Sequence, residues 1–146
     1  MRKLIAAAAV MLPVAFLAAC EDDEGPEVET FTTALTGAAE VPPVTTTATG
    51  TVTLIVTGNQ LEYVINVTDI DAANAAHIHQ GDPGENGDVM VSLFNGPTTA
   101  ADFSGVLVDD AITIVDSVIT HLRNGTAYVN VHTDANPAGE IRGQVP

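Results

Sequence analysis

His77 and His79 stand two residues apart in Ala75-Ala76-His77-Ile78-His79-Gln80, and side chains two apart on a strand share a face. The pair is a preformed two-nitrogen chelate on rigid backbone, with Ile78 turned the other way into a core. Tyr128-Val129-Asn130-Val131-His132 repeats the period of two later in the chain. There Val129 and Val131 face inward, and Asn130 shares the outer face of His132, where it could orient a histidine. If the two strands are neighbours, the three imidazoles converge. Such a set suits a borderline metal, copper or alternatively zinc, and disfavours calcium and magnesium, which prefer oxygen ligands. The same spacing also fits histidines that only tie loops together by hydrogen bonds.

Other polar positions offer less. Asp82, Glu85, Asn86 and Asp88 crowd a Gly-rich loop, but their spacing is not that of an EF-hand and a solvated turn is the simpler reading. Glu140 and Arg142 lie on one face of a strand and could pair with each other or with strand neighbours. His121 falls in an expected short helix and reads as exposed. No Gly-x-Ser-x-Gly and no phosphate- or dinucleotide-binding glycine motif occurs, so nucleophilic and nucleotide chemistry find no support.

The elements that position these residues read as strands. Eleven threonines fall between Thr30 and Thr57, and Thr with Val favours a pleated, half-buried backbone. Gly50–Thr57 and Leu61–Val67 flank Gly58-Asn59, a hairpin signature. Further strands are expected at Phe31–Leu35, Ala75–His79, Val89–Leu93, Ala127–His132 and Glu140–Val145. Asp116–Arg123, with an acid at its start and Gly125 as its stop, reads as one short helix. The fold class is all-β, a Greek-key-like β-sandwich of seven or eight strands, over residues 31–146.

The N-terminus reads as an address. Arg2 and Lys3 precede an apolar run from Leu4 to Ala19, about 16 residues, short of the roughly 20 that span a bilayer. Leu17-Ala18-Ala19-Cys20 resembles a bacterial lipobox, which makes residues 1–19 a lipoprotein signal peptide and Cys20 the lipidation site. Cys20 is the one cysteine of the chain, so no internal disulfide can form. Residues 20–30, with six acids between Glu21 and Glu29, read as a disordered acidic tether. The expected location is the bacterial cell envelope, with the chain anchored by lipid to the outer membrane.

The 146 residues carry nineteen acids against four Lys plus Arg, a formal charge of −15. Loss of Arg2 and Lys3 would take it to about −17. A surface this acidic repels phosphate backbones, and nucleic-acid binding is excluded.

Four segments carry a resemblance: Leu35-Thr36-Gly37-Ala38-Ala39-Glu40-Val41-Pro42-Pro43-Val44, Ala76-His77-Ile78-His79-Gln80-Gly81, Gly125–Thr133 and Pro137–Gln144. In this order they resemble the CHRD domain, which implies a β-sandwich outside the cytoplasm and implies little about activity. More distantly, His77-Ile78-His79, Val131-His132-Thr133-Asp134 and Gly139-Glu140-Ile141-Arg142-Gly143 are similar in order to copper-zinc superoxide dismutases. That similarity implies copper ligands at His77, His79 and His132, with Arg142 behind the ligands or facing an anionic substrate. The chain departs from it in lacking a histidine- and aspartate-rich zinc loop, a bridging histidine and a disulfide. A lipid-anchored, non-catalytic metal-binding domain is therefore the expected function. An interaction module for an envelope protein or polysaccharide is the second reading, and a copper redox enzyme the third.

Overall fold

A computed structural model describes residues 25–146; residues 1–19, read above as a signal peptide, and Cys20, read as the lipidation site, lie outside the described residues. Among the described residues eight strands and one α-helix follow in order, with a 3-10 turn at Gly37–Ala39 after the first strand: β1 (Val28–Thr36), β2 (Thr49–Thr57), β3 (Gln60–Ile70), β4 (Ala73–Gln80), β5 (Val89–Asn95), β6 (Phe103–Thr113), α1 (Asp116–Arg123), β7 (Ala127–Thr133) and β8 (Ile141–Gln144). The all-β class and the short helix are as the sequence indicates. No helix among the described residues is long and apolar enough to cross a membrane.

The strands form one antiparallel sheet in the order β5-β4-β7-β8-β1-β2-β3-β6. It rolls until its two ends, β5 and β6, approach each other, so its halves face one another across a shared core. β1, β2 and β3 form a meander, and the chain then crosses to the opposite half, where β4 pairs with β5 and β7. Gly58-Asn59 closes the β2–β3 hairpin, with Thr57 opposite Gln60 and Gly58 at φ 58°. That left-handed conformation costs glycine little.

The core follows the period of two. Val52, Leu54 and Val56 of β2 and Leu61, Tyr63, Ile65 and Val67 of β3 are buried, while intervening residues are half-buried or exposed. Ile78, Val129, Val131 and Ile141 complete the core from the other half, and α1 closes it with Val118, Ile119 and Leu122.

Two features differ from the sequence reading. Val28–Thr30, read as the end of the tether, pair with Ile55–Thr57 and begin β1. Their acidic flanks obscured a strand that needs only one buried side. Phe103–Thr113 forms β6, which the sequence did not single out. Its residues are half-buried or exposed, it contains Gly105 at φ 148° and Asp109-Asp110, and its pairing with β3 shifts register twice. An edge strand of this kind has no apolar alternation to betray it.

Candidate metal centre

β7 lies between β4 and β8, and all seven of its residues are buried. Val129 and Val131 enter the apolar core. Tyr128, Asn130 and His132 point the other way, beneath the loops 37–48, 81–88 and 134–140. Among the described residues the buried polar and charged ones are Glu40, His79, Asn130, His132, Thr133, Glu140 and Arg142. The outer side of this half-sheet is thus a second, polar interior.

The register explains the convergence of the histidines. His77 is opposite Asn130, Ile78 opposite Val129 and His79 opposite Tyr128, while His132 is opposite Ala75. His132 is therefore the diagonal neighbour of His77 across the ladder, within reach of long side chains. The β4–β5 pairing shifts register between Ala76 and His77 and again between Ile78 and His79. The β4–β7 pairing stays regular from Ala75 to Gln80, which keeps His77 and His79 on one face.

One nitrogen from each of His77, His79 and His132 lies within 4.8 Å of those of the other two. Ring centroids are 4.8 Å apart for His77 and His132, 5.8 Å for His77 and His79, and 6.2 Å for His79 and His132. Metal–nitrogen bonds near 2.0 Å at tetrahedral angles put ligand nitrogens about 3.3 Å apart. The three rings need to close by about 1.5 Å at most.

Hydrogen bonds assign the tautomers. His79 Nδ1 is 2.9 Å from the Gly87 carbonyl and His132 Nδ1 is 3.0 Å from that of Pro137. A carbonyl only accepts, so each Nδ1 carries the proton and each Nε2 presents a lone pair. His132 Nε2 accepts from His77 Nδ1 at 2.9 Å. His79 Nε2 is buried and has no partner. Backbone acceptors behind Nδ1 are the usual way in which a ligating imidazole is oriented. Burial, with His132 and His79 adding to it, pushes His77 down to about 4. Burial also lowers His132, against the opposing pull of the Pro137 carbonyl. Both rings are neutral near pH 7, the form a metal requires.

Arg142 reaches this cluster through an intermediary. Its guanidinium carbon sits 3.4 Å from the centre of the Tyr128 ring, and Tyr128 stacks on His79 at 4.7 Å and 8°. Arg142 is 1% exposed and donates to Asn86 Oδ1 at 3.0 Å and to the Glu85 carbonyl at 2.7 Å. It faces the loop above it rather than solvent, and it does not pair with Glu140. Glu140 accepts instead from Thr46 and Thr133, each at 2.7 Å, and from Asn136 at 2.9 Å. Burial opposes its ionisation, but these hydrogen bonds outweigh it and hold the carboxyl below its ordinary range. Asn130 shares the layer, but its amide donates to the Ala138 carbonyl at 3.4 Å and leaves Oδ1 without a partner.

His121 is half-buried rather than exposed, because Nδ1 bonds Thr126 Oγ1 at 2.9 Å across the end of α1. Asp82, Glu85 and Asn86 form no cation cage; Asn86 and the Glu85 carbonyl serve Arg142, and Asn86 also donates to the Val41 carbonyl. Tyr128 and Glu40 are members of the layer that the sequence did not single out. Tyr128 had a signal in the period of two that joins it to Asn130 and His132. Glu40 lies in a loop and had none.

The CHRD domain family model matches residues 31–145. Chordin of Danio rerio is 33% identical over 123 residues, covering 76% of this chain and 12% of that protein. Chordin of Xenopus laevis is 36% identical over 94 residues, covering 58% of this chain and 9% of that protein. The chain thus spans about a tenth of the length of these relatives. No solved structure matches it.

Proposed function

We propose, from the premise that this chain belongs to the CHRD domain family, that its domain binds copper or a similar transition metal through His77, His79 and His132 without catalysing a reaction. The observation that carries the reading is His79, whose Nδ1 is held by a carbonyl while Nε2 is buried without a partner. A buried acceptor left without a hydrogen bond costs about 1–3 kcal/mol, and a metal ion relieves that cost. Three imidazole nitrogens with no carboxylate among them favour copper or zinc over harder ions. The formal charge of −15 raises the local concentration of any cation. The chain's place is the cell envelope, with Cys20 as its lipid anchor.

Titration of the protein with Cu(I), Cu(II) and Zn(II), alongside His79→Ala and His132→Ala, tests the reading. Wild type should take up one equivalent of copper, and both variants should lose it. Equal, weak binding by all three proteins overturns the site and favours the second reading, a module for an envelope protein or polysaccharide. The hydrogen bond of 2.9 Å between His77 and His132 supports that second reading, since it ties the strands without a metal. Superoxide chemistry ranks third. Its electrostatic steering would rest on Arg142, which is buried against Tyr128.

A further inference from the structure

The three histidines are not equivalent, and the difference lies in what stands behind each ring. His79 and His132 are 8% and 9% exposed, and each has Nδ1 fixed on a backbone carbonyl. Both carbonyls sit in braced loops. The loop carrying Gly87 is tied to the sheet by Gln80 N to the Asp88 carbonyl, Gly81 N to the Thr126 carbonyl, and the two Arg142 bonds. The loop carrying Pro137 is tied by the Glu140 carboxylate, which takes Thr133 Oγ1 and Asn136 Nδ2, and by Gly139 N to the Asn136 carbonyl. His77 is half-buried, and its ring hydrogen bond is to His132 Nε2, the lone pair that a metal would use.

Resting on the metal-binding reading above, we propose that His79 and His132 are the permanent ligands, through Nε2, and that His77 is an exchangeable third ligand over which the ion enters and leaves. In the metal-free protein the His77 ring caps His132 Nε2. As the ion arrives, that hydrogen bond breaks and the His132 lone pair passes to the metal. His77 then offers its own lone pair, either by turning Nε2 inward or by giving up the Nδ1 proton while Nε2 takes one from water. No electron is transferred, and the proton count of the pair is unchanged. The ion stays on the two fixed rings while the third position is traded, which suits passage to another carrier rather than sealed storage. Two nitrogens about 4 Å apart can hold an ion between them with bonds near 2.0 Å, and the 4.8 Å limit of the cluster is close to that span.

The test uses the full chain and Cu(I) supplied as its complex with a chromophoric chelator. Affinity is read by competition, and release by stopped-flow with excess chelator, for wild type, His77→Gln, His79→Gln and His132→Gln. His77→Gln should weaken binding about tenfold and speed release by about the same factor, since affinity differences among related sites reside mostly in dissociation. His79→Gln and His132→Gln should weaken binding at least about a hundredfold, beyond the range for lost supporting contacts. Equal losses at all three positions, or unchanged release from His77→Gln, overturn the assignment while leaving the metal site standing. A wild type that binds no Cu(I) overturns both. Should a variant fail to fold, imidazole ¹⁵N spectra of wild type with and without Cu(I) decide the matter. Nδ1–H should persist on His79 and His132 with the ion bound, and its loss from either ring overturns the assignment.

Discussion

The two faces of β7 are buried to a similar degree and built from opposite chemistry. On the inner face Val129 and Val131, both 0% exposed, join Ile78, Leu54 and Leu61 in an apolar core. On the outer face Tyr128, Asn130 and His132 join His77, His79 and Arg142 under three loops. An apolar interior gains from burial itself, in proportion to area removed from water. A polar interior gains little unless each group is matched, and it loses for every group that is not. The described residues include four buried side-chain atoms without partners, on Glu40, His79, Asn130 and Gln144, and all belong to the outer layer. The inner face therefore supports the fold, while the outer face carries groups that cost stability unless something further partners them.

The sharpest way to break that contrast uses neighbours in sequence. Ile78→Ala empties a fully buried core site and should destabilise the metal-free protein by about 3–4 kcal/mol in urea unfolding. His79→Leu removes a buried unpartnered nitrogen from the opposite side of the same strand. Its cost should stay at about 1–2 kcal/mol, because loss of the Nδ1 bond to the Gly87 carbonyl and of the Tyr128 stack is partly offset by removal of the unpartnered Nε2. If His79→Leu costs as much as Ile78→Ala, the outer layer is as structural as the core and the contrast fails.

Arg142 marks where the contrast has an internal boundary. Its donors to Glu85 and Asn86 are charge-assisted, and its plane covers Tyr128. Arg142→Met should cost about 3 kcal/mol by stranding those two acceptors and removing the stack. It should also loosen the 81–88 loop, visible as faster amide exchange at Gly87. Metal affinity should then fall about tenfold or more, as for other lost supports of a ligating imidazole. Unchanged exchange at Gly87 would show that the loop holds His79 without Arg142.

Most of the strands were legible because their inner face alternates. Gly50–Thr57 and Leu61–Val67 carry a buried residue at nearly every second position, and β2 and β3 form there. β6 was not legible, because an edge strand with exposed residues and two register shifts writes no pattern. The three histidines were legible as types and spacing. Their meeting depends on β7 lying beside β4, a pairing across more than fifty residues that local periodicity does not encode. The supports were less visible still. The Gly87 and Pro137 carbonyls are backbone groups, and a sequence does not show where a loop points its carbonyls. Arg142 was legible as a strand residue, but Glu140 falls in the loop just before β8 rather than on the strand, and the two have separate partners: Thr46, Thr133 and Asn136 for Glu140, the 81–88 loop for Arg142.

The smallest expected effect tests whether the outer layer is strained by charge as well as by missing partners. Glu40 is 5% exposed and its Oε1 has no partner. It packs against Gly139, at φ 136°, where a Cβ would run into the carboxyl. Burial raises the Glu40 carboxyl from 4.5 to about 7, against the favourable field of Arg142. A carboxyl whose folded value exceeds its unfolded one keeps its proton longer in the native state. Below pH 4.5 both states are protonated and Glu40 contributes nothing. Between 4.5 and 7 the unfolded chain loses the proton first and stability falls, and above 7 the loss is constant. Glu40→Gln should match wild type at pH 4 and exceed it at pH 8 by about 2 kcal/mol, the full shift being discounted for solvent screening. The comparison is made by urea unfolding of the metal-free proteins across this range, so that other titrating groups cancel in the difference. Parallel pH profiles would mean that Glu40 is ionised at no cost beside Arg142. In that case the penalty in the outer layer lies in its unpartnered nitrogen and amide oxygens rather than in buried charge.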